Sequence, residues 1–458
     1  MSLRPMDQRI LELPGPRGKP LLGTVGPFLG KDLLKPFHDL VADYGPLFQV
    51  RLPFGHRLVM VAHPDAVEHV LRSGRDNYVK GSVYDGTRIL LGNGLVTSEG
   101  ALWRRQRELA NPAFRPAKLQ QYLAVMADCT DDLAAVWRAA DRAGPVDVQR
   151  EMTHLTMAIV GRTLFGLDLS RNSERAAAAF GAALAAIGRR GPANLQIPLW
   201  LPTPANLRFR RILRELDVLV YEVIERFRSG QAQNADRTLL GAYLESRDPD
   251  TGAGMDDRQL RDEVITLYLA GHETTASLLS WALYLLSRHP EVQVRARAEI
   301  DALMPEGVPT LEQLKALQYT SQVIHEVLRL YPPAWTIARN AVADDTLMGY
   351  RVPGGAIVMI SPYFAHRQEA FWPEPLRFDP DRFAPAAVAE RHPFAYFPFS
   401  LGPRICIGMQ FSLSEARLVL ATLLKRFEIH STGGSEVRAC AAGTLRPAGE
   451  LRVRLQSR

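Results

Sequence analysis

The chain has 458 residues, 47% hydrophobic and 23% charged, enough to bury a sizeable core, and length alone suggests two or three domains. A net charge of +6 admits an anionic lipid or an acidic protein partner, but no basic tract with interleaved aromatics occurs, which weighs against nucleic acid. Three cysteines (Cys129, Cys406 and Cys440) are too few for a disulfide framework, and residues 1–20 contain no apolar run of signal or anchor length; the expectation is a cytoplasmic protein without a membrane anchor.

In chain order, a proline-rich segment over residues 1–30 includes Leu13-Pro-Gly-Pro-Arg-Gly. An amphipathic pattern from Lys31 to Tyr44 predicts a first helix. Two alternating runs, 47–52 and 56–61, split by Pro53-Phe54-Gly55, predict a hairpin. His63-Pro64-Asp65 opens a helix to about Ser73. Residues 78–96 are rich in glycine and hydroxyls, lack periodicity and read as a long loop, a length uncommon without a function. Ser98 is the expected cap of the next helix, on which Trp103 and Arg107 are four apart and share a face. Helical patterns fill 116–143, 148–165 and 173–189. An apolar stretch broken by prolines, with Ile197, Leu199, Trp200 and Leu201, then leads to a helix over 205–228.

Asp256-Asp-Arg-Gln reads as a capping box and Pro290 as a stop, so one helix of about 33 residues is expected. Its stretch 264–287 is apolar enough to pass for a membrane span, but His272 and Glu273 at the middle favour a helix buried in a large domain. Thr274 can bond back to the Ala270 carbonyl, a habit that mid-helix threonines also show without any function. Glu326 and Arg329 have ion-pair spacing on an apolar helix, although Glu225 and Arg228 have the same spacing with no claim to a role. Residues 334–339 read as a short strand, 356–360 extend a sheet region, 409–427 form a helix, and strands fill the last thirty positions.

The segment Phe399-Ser400-Leu401-Gly402-Pro403-Arg404-Ile405-Cys406-Ile407-Gly408 sets one cysteine in a loop directly ahead of that last helix. Free N–H groups and the positive dipole end of a helix start lower a thiol's pKa and hydrogen-bond its sulfur. Gly402 allows a left-handed turn, and Gly408 lets the backbone approach something flat and large. Haem iron fits such a thiolate, with Arg404 placed to neutralise a propionate. A lone cysteine is most often a core residue, yet every fixed position of Phe-x-x-Gly-x-Arg-x-Cys-x-Gly is matched. The segment resembles the haem-binding loop of the cytochrome P450 family.

The resemblance implies one cytochrome P450 domain over residues 1–458, with no fused reductase. Its fold is mainly α with small β-sheets (α+β), and haem b lies between the long central helix and the cysteine-loop helix, with Cys406 as axial thiolate. Phe399, Gly402, Arg404, Ile407 and Gly408 would cradle the haem. Trp103, Arg107 and Arg339 would reach its propionates. Ala270-Gly271-His272-Glu273-Thr274-Thr275 resembles the family's oxygen-activation motif. There Ala270 and Gly271 would lie against the haem, Gly271 removing bulk beside the metal, while Thr274 and Glu273 would deliver protons. Val96, Ala270, Ala334 and Thr336 would line the substrate pocket, with residues 441–445 a weaker candidate and the stretch around Trp200 its entrance. Glu326, Arg329 and Arg382 would form a buried ion triad that fixes the cysteine loop.

The implied activity inserts one oxygen atom of O2 into a hydrophobic organic substrate, by hydroxylation or epoxidation of a fatty acid, terpenoid, steroid or macrocycle. Electrons would come from a ferredoxin or flavodoxin with its reductase, docking on a basic patch of Arg104, Arg105, Lys118, Arg404 and Arg417. Two alternatives stay open. One is a peroxide-driven or non-hydroxylating haem-thiolate enzyme, a group that tends to lack Glu273 or Thr274; the other is a non-enzymatic haem sensor.

Overall fold

The computed structural model describes residues 10–19, 23–24, 33–140, 144–169, 173–190, 198–247, 252–434, 437–441 and 443–458. The chain divides into two compact units, one of residues 1–84, 334–377 and 390–405, the other of 85–333, 378–389 and 406–458.

The first unit is built on a five-stranded sheet. The expected hairpin forms from Leu47–Arg51 and Arg57–Val61, antiparallel, with Phe54 and Gly55 both in the left-handed region at the turn. Arg57–Val61 pairs in parallel with Ile357–Ile360, which pairs with Ile337–Ala341, and Tyr78–Val79 lies at the far edge. Phe48, Val50, Val59, Val61, Val358 and Ile360 are fully buried and form the apolar core of this sheet. A second sheet orders Leu11–Glu12, Tyr350–Val352 and Asp345–Leu347. The helix Leu34–Tyr44 sets Phe37 against Trp335 and Phe364; residues 31–32 of its expected start lie outside the described residues. After the His63 cap the chain winds as Pro64–Glu68 and ends in a π-turn, His69–Ser73.

The second unit surrounds a central helix, Asp257–Arg288. Asp256 caps it by accepting the Gln259 N–H at 2.7 Å, and Pro290 begins the next helix. Residues 260–269 and 275–287 are buried, which is why the helix is apolar on nearly every side. The helices Val148–Leu164, Pro204–Arg228, Gln318–Leu330 and Met409–Arg426 pack around it. Trp281, fully buried on the central helix, stacks on Tyr331 with ring centroids 3.8 Å apart. Small sheets complete the unit: Phe427–Ser431 with Arg452–Ser457 and Val146–Asp147, and Ala439–Ala441 with Leu445–Pro447. Among the described residues no helix is long and apolar enough to cross a membrane.

Two local expectations are corrected. Residues 78–96 are not one irregular loop, because Asp85–Leu91 is helical. Arg88 pairs with Asp85 within the helix at 2.8 Å, and Arg261 of the central helix, distant in sequence, donates to the Leu90 carbonyl at 2.8 Å, which holds the end of a helix that carries no periodic signal. Ser98 does not cap the helix Gly100–Ala110. Glu99 stands at that position and its side chain makes no cap bond, while the Ser98 hydroxyl is buried and hydrogen-bonds to Gln106. The helix expected over 116–143 is described to Ala140, and Ile197 lies outside the described residues.

Candidate active site

In the second unit Cys406 stands three residues ahead of the helix Met409–Arg426. The Gly408 N–H donates to its sulfur, and the Arg107 guanidinium is close enough to favour the thiolate. Cys406 is exposed by surface area, yet protein mass around the sulfur still pushes its pKa up; burial outweighs the two stabilising groups. Arg107, on Gly100–Ala110 with Trp103, is itself pushed down by burial, with Cys406 acting in the opposite sense. A Cβ at Gly408 would meet only Phe114 at 3.9 Å and the Cys406 sulfur at 4.0 Å. Phe411, in the first turn of the helix, is held edge-on by Phe114 and Tyr122.

Midway along the central helix the burial pattern breaks. Ala270 is exposed and Gly271, Glu273 and Thr274 are half-buried between two long buried runs. The Thr274 hydroxyl donates to the Ala270 carbonyl at 2.8 Å. Glu273 accepts from Thr444 at 2.8 Å; burial raises its pKa, while the Thr444 bond and Arg446 lower it. Glu273, Thr444 and Arg446 border a cavity of about 150 Å³ that Gln149, Thr153 and His272 also line. His272 is buried, with Nδ1 on the Tyr268 carbonyl at 2.6 Å, and desolvation takes its pKa down to about 4, so it is neutral. Gly271 has a reason for being small that the sequence did not suggest: a Cβ there would stand 2.9 Å from Val160, so the glycine admits the neighbouring helix Val148–Leu164. Thr275 and Ser412, 3.1 Å apart, join the central helix to the cysteine helix.

Glu326 and Arg329 form a fully buried bidentate pair, both bonds 2.7 Å, and Arg382 lies 3.6 Å from the same carboxylate. The Asp379 N–H adds a bond to Glu326 at 2.9 Å. Arg417, expected on a docking surface, is instead largely withdrawn from solvent: its Nε donates to Ser321 at 2.7 Å and burial lowers its pKa.

The first unit carries the remaining candidates. Arg339 is buried on Ile337–Ala341; its Nη1 donates to the Ala338 carbonyl at 2.8 Å, and it makes no ion pair among the described residues. Ala334 is exposed, Thr336 is half-buried, and the Thr336 hydroxyl oxygen is buried with no partner among the described residues. Gly402 has φ +67°, and a Cβ there would stand 2.3 Å from the Leu71 carbonyl oxygen of the π-turn. Ser400, at φ +65°, is a second left-handed position two residues earlier and carries a side chain. Phe399 and Arg404 are half-buried beside these two turns.

Each unit therefore offers groups that fit a haem: a thiol supplied with an N–H donor and a nearby cation in one, a buried guanidinium with no carboxylate partner among the described residues in the other. The chain matches the cytochrome P450 family over residues 13–452. It belongs to the cytochrome P450 family. Cyclooctatin synthase of Streptomyces melanosporofaciens is 36% identical, with 96% of this chain and 94% of that protein aligned. Cyclooctat-9-en-7-ol 5-monooxygenase of the same organism is 36% identical over 92% of this chain and 90% of its own length. Pentalenene oxygenase of Streptomyces avermitilis is also 36% identical, over 93% of each. A solved cytochrome P450DA heme domain superposes with a TM-score of 0.86 at 28% identity, covering 98% of both chains. The protein is a P450 monooxygenase with the mainly helical P450 fold, and family membership brings haem with thiolate ligation.

The sequence did not reveal Ser400, the Thr444 and Arg446 partners of Glu273, or the buried group around Glu263 described below. Only Ser400 lies inside a recognisable motif, at a position where that motif specifies nothing.

Proposed function

We propose that this P450 inserts one atom of O2 into a cyclic terpenoid, with haem b held by Cys406 and electrons from a separate ferredoxin or flavodoxin with its reductase. The family match runs through both compact units, which supports reading them as one catalytic domain. Bound at Cys406, haem supplies reductive activation of dioxygen, which a thiolate ligand favours. Trp103, Arg107, Arg339 and Arg404 hold its carboxylates, while Phe399, Gly402, Ile407 and Gly408 shape the backbone against it. Ala270, Val96, Ala334 and Thr336 face the substrate and keep water from the reacting carbon. Glu326, Arg329 and Arg382 fix the support beneath the loop.

One observation carries the choice of monooxygenation over a peroxide-driven or sensing role: an acid and an alcohol adjoin on the exposed turn of the central helix. The Thr274 hydroxyl spends its proton on the Ala270 carbonyl, leaving its oxygen to accept a bond from water or an incoming ligand. Glu273, its pKa raised by burial and its carboxylate bonded to Thr444 beside a cavity, is placed to take up and pass on a proton. The substrate class is supported by three 36% identical relatives, two of them named for oxidising cyclooctat-9-en-7-ol and pentalenene.

The test is a spin-state titration of the ferric protein against cyclic terpenes, terpene alcohols and fatty acids of matched size. Submicromolar shifts with cyclic terpenoids alone are expected, and a preference for fatty acids would overturn the substrate assignment. Separately, the reduced protein under carbon monoxide must give the red-shifted Soret band of sulfur-ligated haem, and Cys406→Ser must lose it.

A further inference from the structure

Seven residues before Ala270, two turns up the same face of the central helix and about 10 Å away, stands Glu263. It is fully buried. Its Oε2 accepts the Leu95 N–H at 3.3 Å, and its neighbour Asp262 accepts the Asn93 N–H at 2.8 Å. The chain at 92–94 lies so close that a Cβ on Gly92 would stand 2.0 Å from the Asp262 carboxylate and one on Gly94 2.2 Å from the Thr266 hydroxyl. Gln106, fully buried one residue before Arg107, donates to the Asn93 carbonyl at 2.7 Å, is hydrogen-bonded by Ser98, and lies beside Glu263, whose Oε1 is buried with no partner among the described residues. One buried polar group thus touches the loop bearing Val96, the helix bearing Trp103 and Arg107, and the helix bearing Ala270 and Thr274.

We propose that Glu263, acting with Gln106, is a positioning residue that sets the 92–98 loop and the Trp103–Arg107 helix in register with the Ala270–Thr274 face. The inference rests on the reading of Val96 as part of the substrate wall. An apolar residue at 263 would leave the Leu95 N–H without a partner in a site closed to water, a loss large enough to free the loop. Glu263 is held mostly protonated, its pKa pushed up to about 8 by burial first, opposed by the Leu95 N–H, raised further by Asp262, and opposed again by Tyr243 and Gln106. The charged or titratable groups facing it are Asp262 and Tyr243; Arg261, on the same helix, is paired with Asp262 and Asp217. A protonated carboxyl and a glutamine offer the same donor and acceptor, so Glu263→Gln is the conservative control.

The experiment uses the haem-loaded protein and the variants Glu263→Leu, Glu263→Gln and Gln106→Leu. Amide exchange of a peptide spanning 92–98 is read by mass spectrometry, and binding of imidazole and of bulkier phenylimidazole to the haem by absorption. The Leu variants should speed exchange of that peptide and weaken phenylimidazole by about tenfold, with imidazole held within about twofold. Glu263→Gln should match the wild type at neutral pH. It should also lack the wild type's rise in intrinsically corrected exchange above about pH 8, where the carboxyl ionises. Wild-type exchange in Glu263→Leu and Gln106→Leu, or equal weakening of both azoles, overturns the proposal. If the Leu variants fail to load haem, Glu263→Gln decides by its alkaline limb: a rise equal to the wild type's sinks the proposal. Loss of the carbon monoxide band in every form, wild type included, would instead sink the haem-thiolate reading, while the exchange data still judge the role of Glu263.

Discussion

At the scale of single residues, Glu415 has the sharpest consequence. It is fully buried on Met409–Arg426, neither carboxyl oxygen has a partner among the described residues, and desolvation pushes its pKa well up. A carboxyl whose folded pKa lies above its unfolded one binds its proton more tightly when folded. Its contribution is complete below the unfolded pKa and is lost as pH rises towards the folded value. Thermal melts from about pH 5 to pH 9 should show stability declining towards the alkaline end, and Glu415→Gln, which cannot ionise, should flatten that decline. Thr274→Ala removes the hydroxyl and leaves the helix intact; NAD(P)H consumption should continue while product falls and hydrogen peroxide rises by about tenfold. Unchanged coupling would remove Thr274 from the proton route.

Among elements, the cysteine loop and the Glu326–Arg329 pair depend on different physics. Gly402→Ala places a side chain in the left-handed region and against the Leu71 carbonyl, so a loss of more than about 1 kcal/mol in urea unfolding is expected. Gly408→Ala meets only ordinary contacts from the protein and should change stability by less than about 0.5 kcal/mol. Glu326→Ala strands the Arg329 charge in a site with no exposure, a loss of about 3–5 kcal/mol visible as failed expression or a collapsed melting point. This is also the scale at which legibility in the sequence divides. The hairpin, the central helix with its Asp256 cap and the Thr274 to Ala270 bond could be read because each is set by neighbours within a few residues. The helix Asp85–Leu91, the true partner of Ser98, the packing reason for Gly271 and the Glu263 group could not, because each depends on residues brought together from far along the chain. The buried position of Arg417 belongs with them: its partner Ser321 lies 96 residues away, and the helix sequence around it reads the same whether the guanidinium meets water or that hydroxyl.

Across the whole molecule, the net charge of +6 and the exposed Arg104 favour an acidic electron carrier. Arg104→Glu with Arg105→Glu should slow reduction by ferredoxin several-fold at low salt and by much less at high salt, with haem content unchanged. Stopped-flow reduction across a salt series reads this directly, and equal rates at all salt concentrations would remove the docking surface. The same long-range logic bears on how the protein is made. Arg57–Val61 finds its parallel neighbour Ile357–Ile360 about 300 residues later, so on the ribosome this apolar strand waits some 15–60 s with one edge bare. Yield from recombinant expression should therefore follow translation speed and chaperone supply more closely than equilibrium stability, since the hazard lies in an interval before the native state exists.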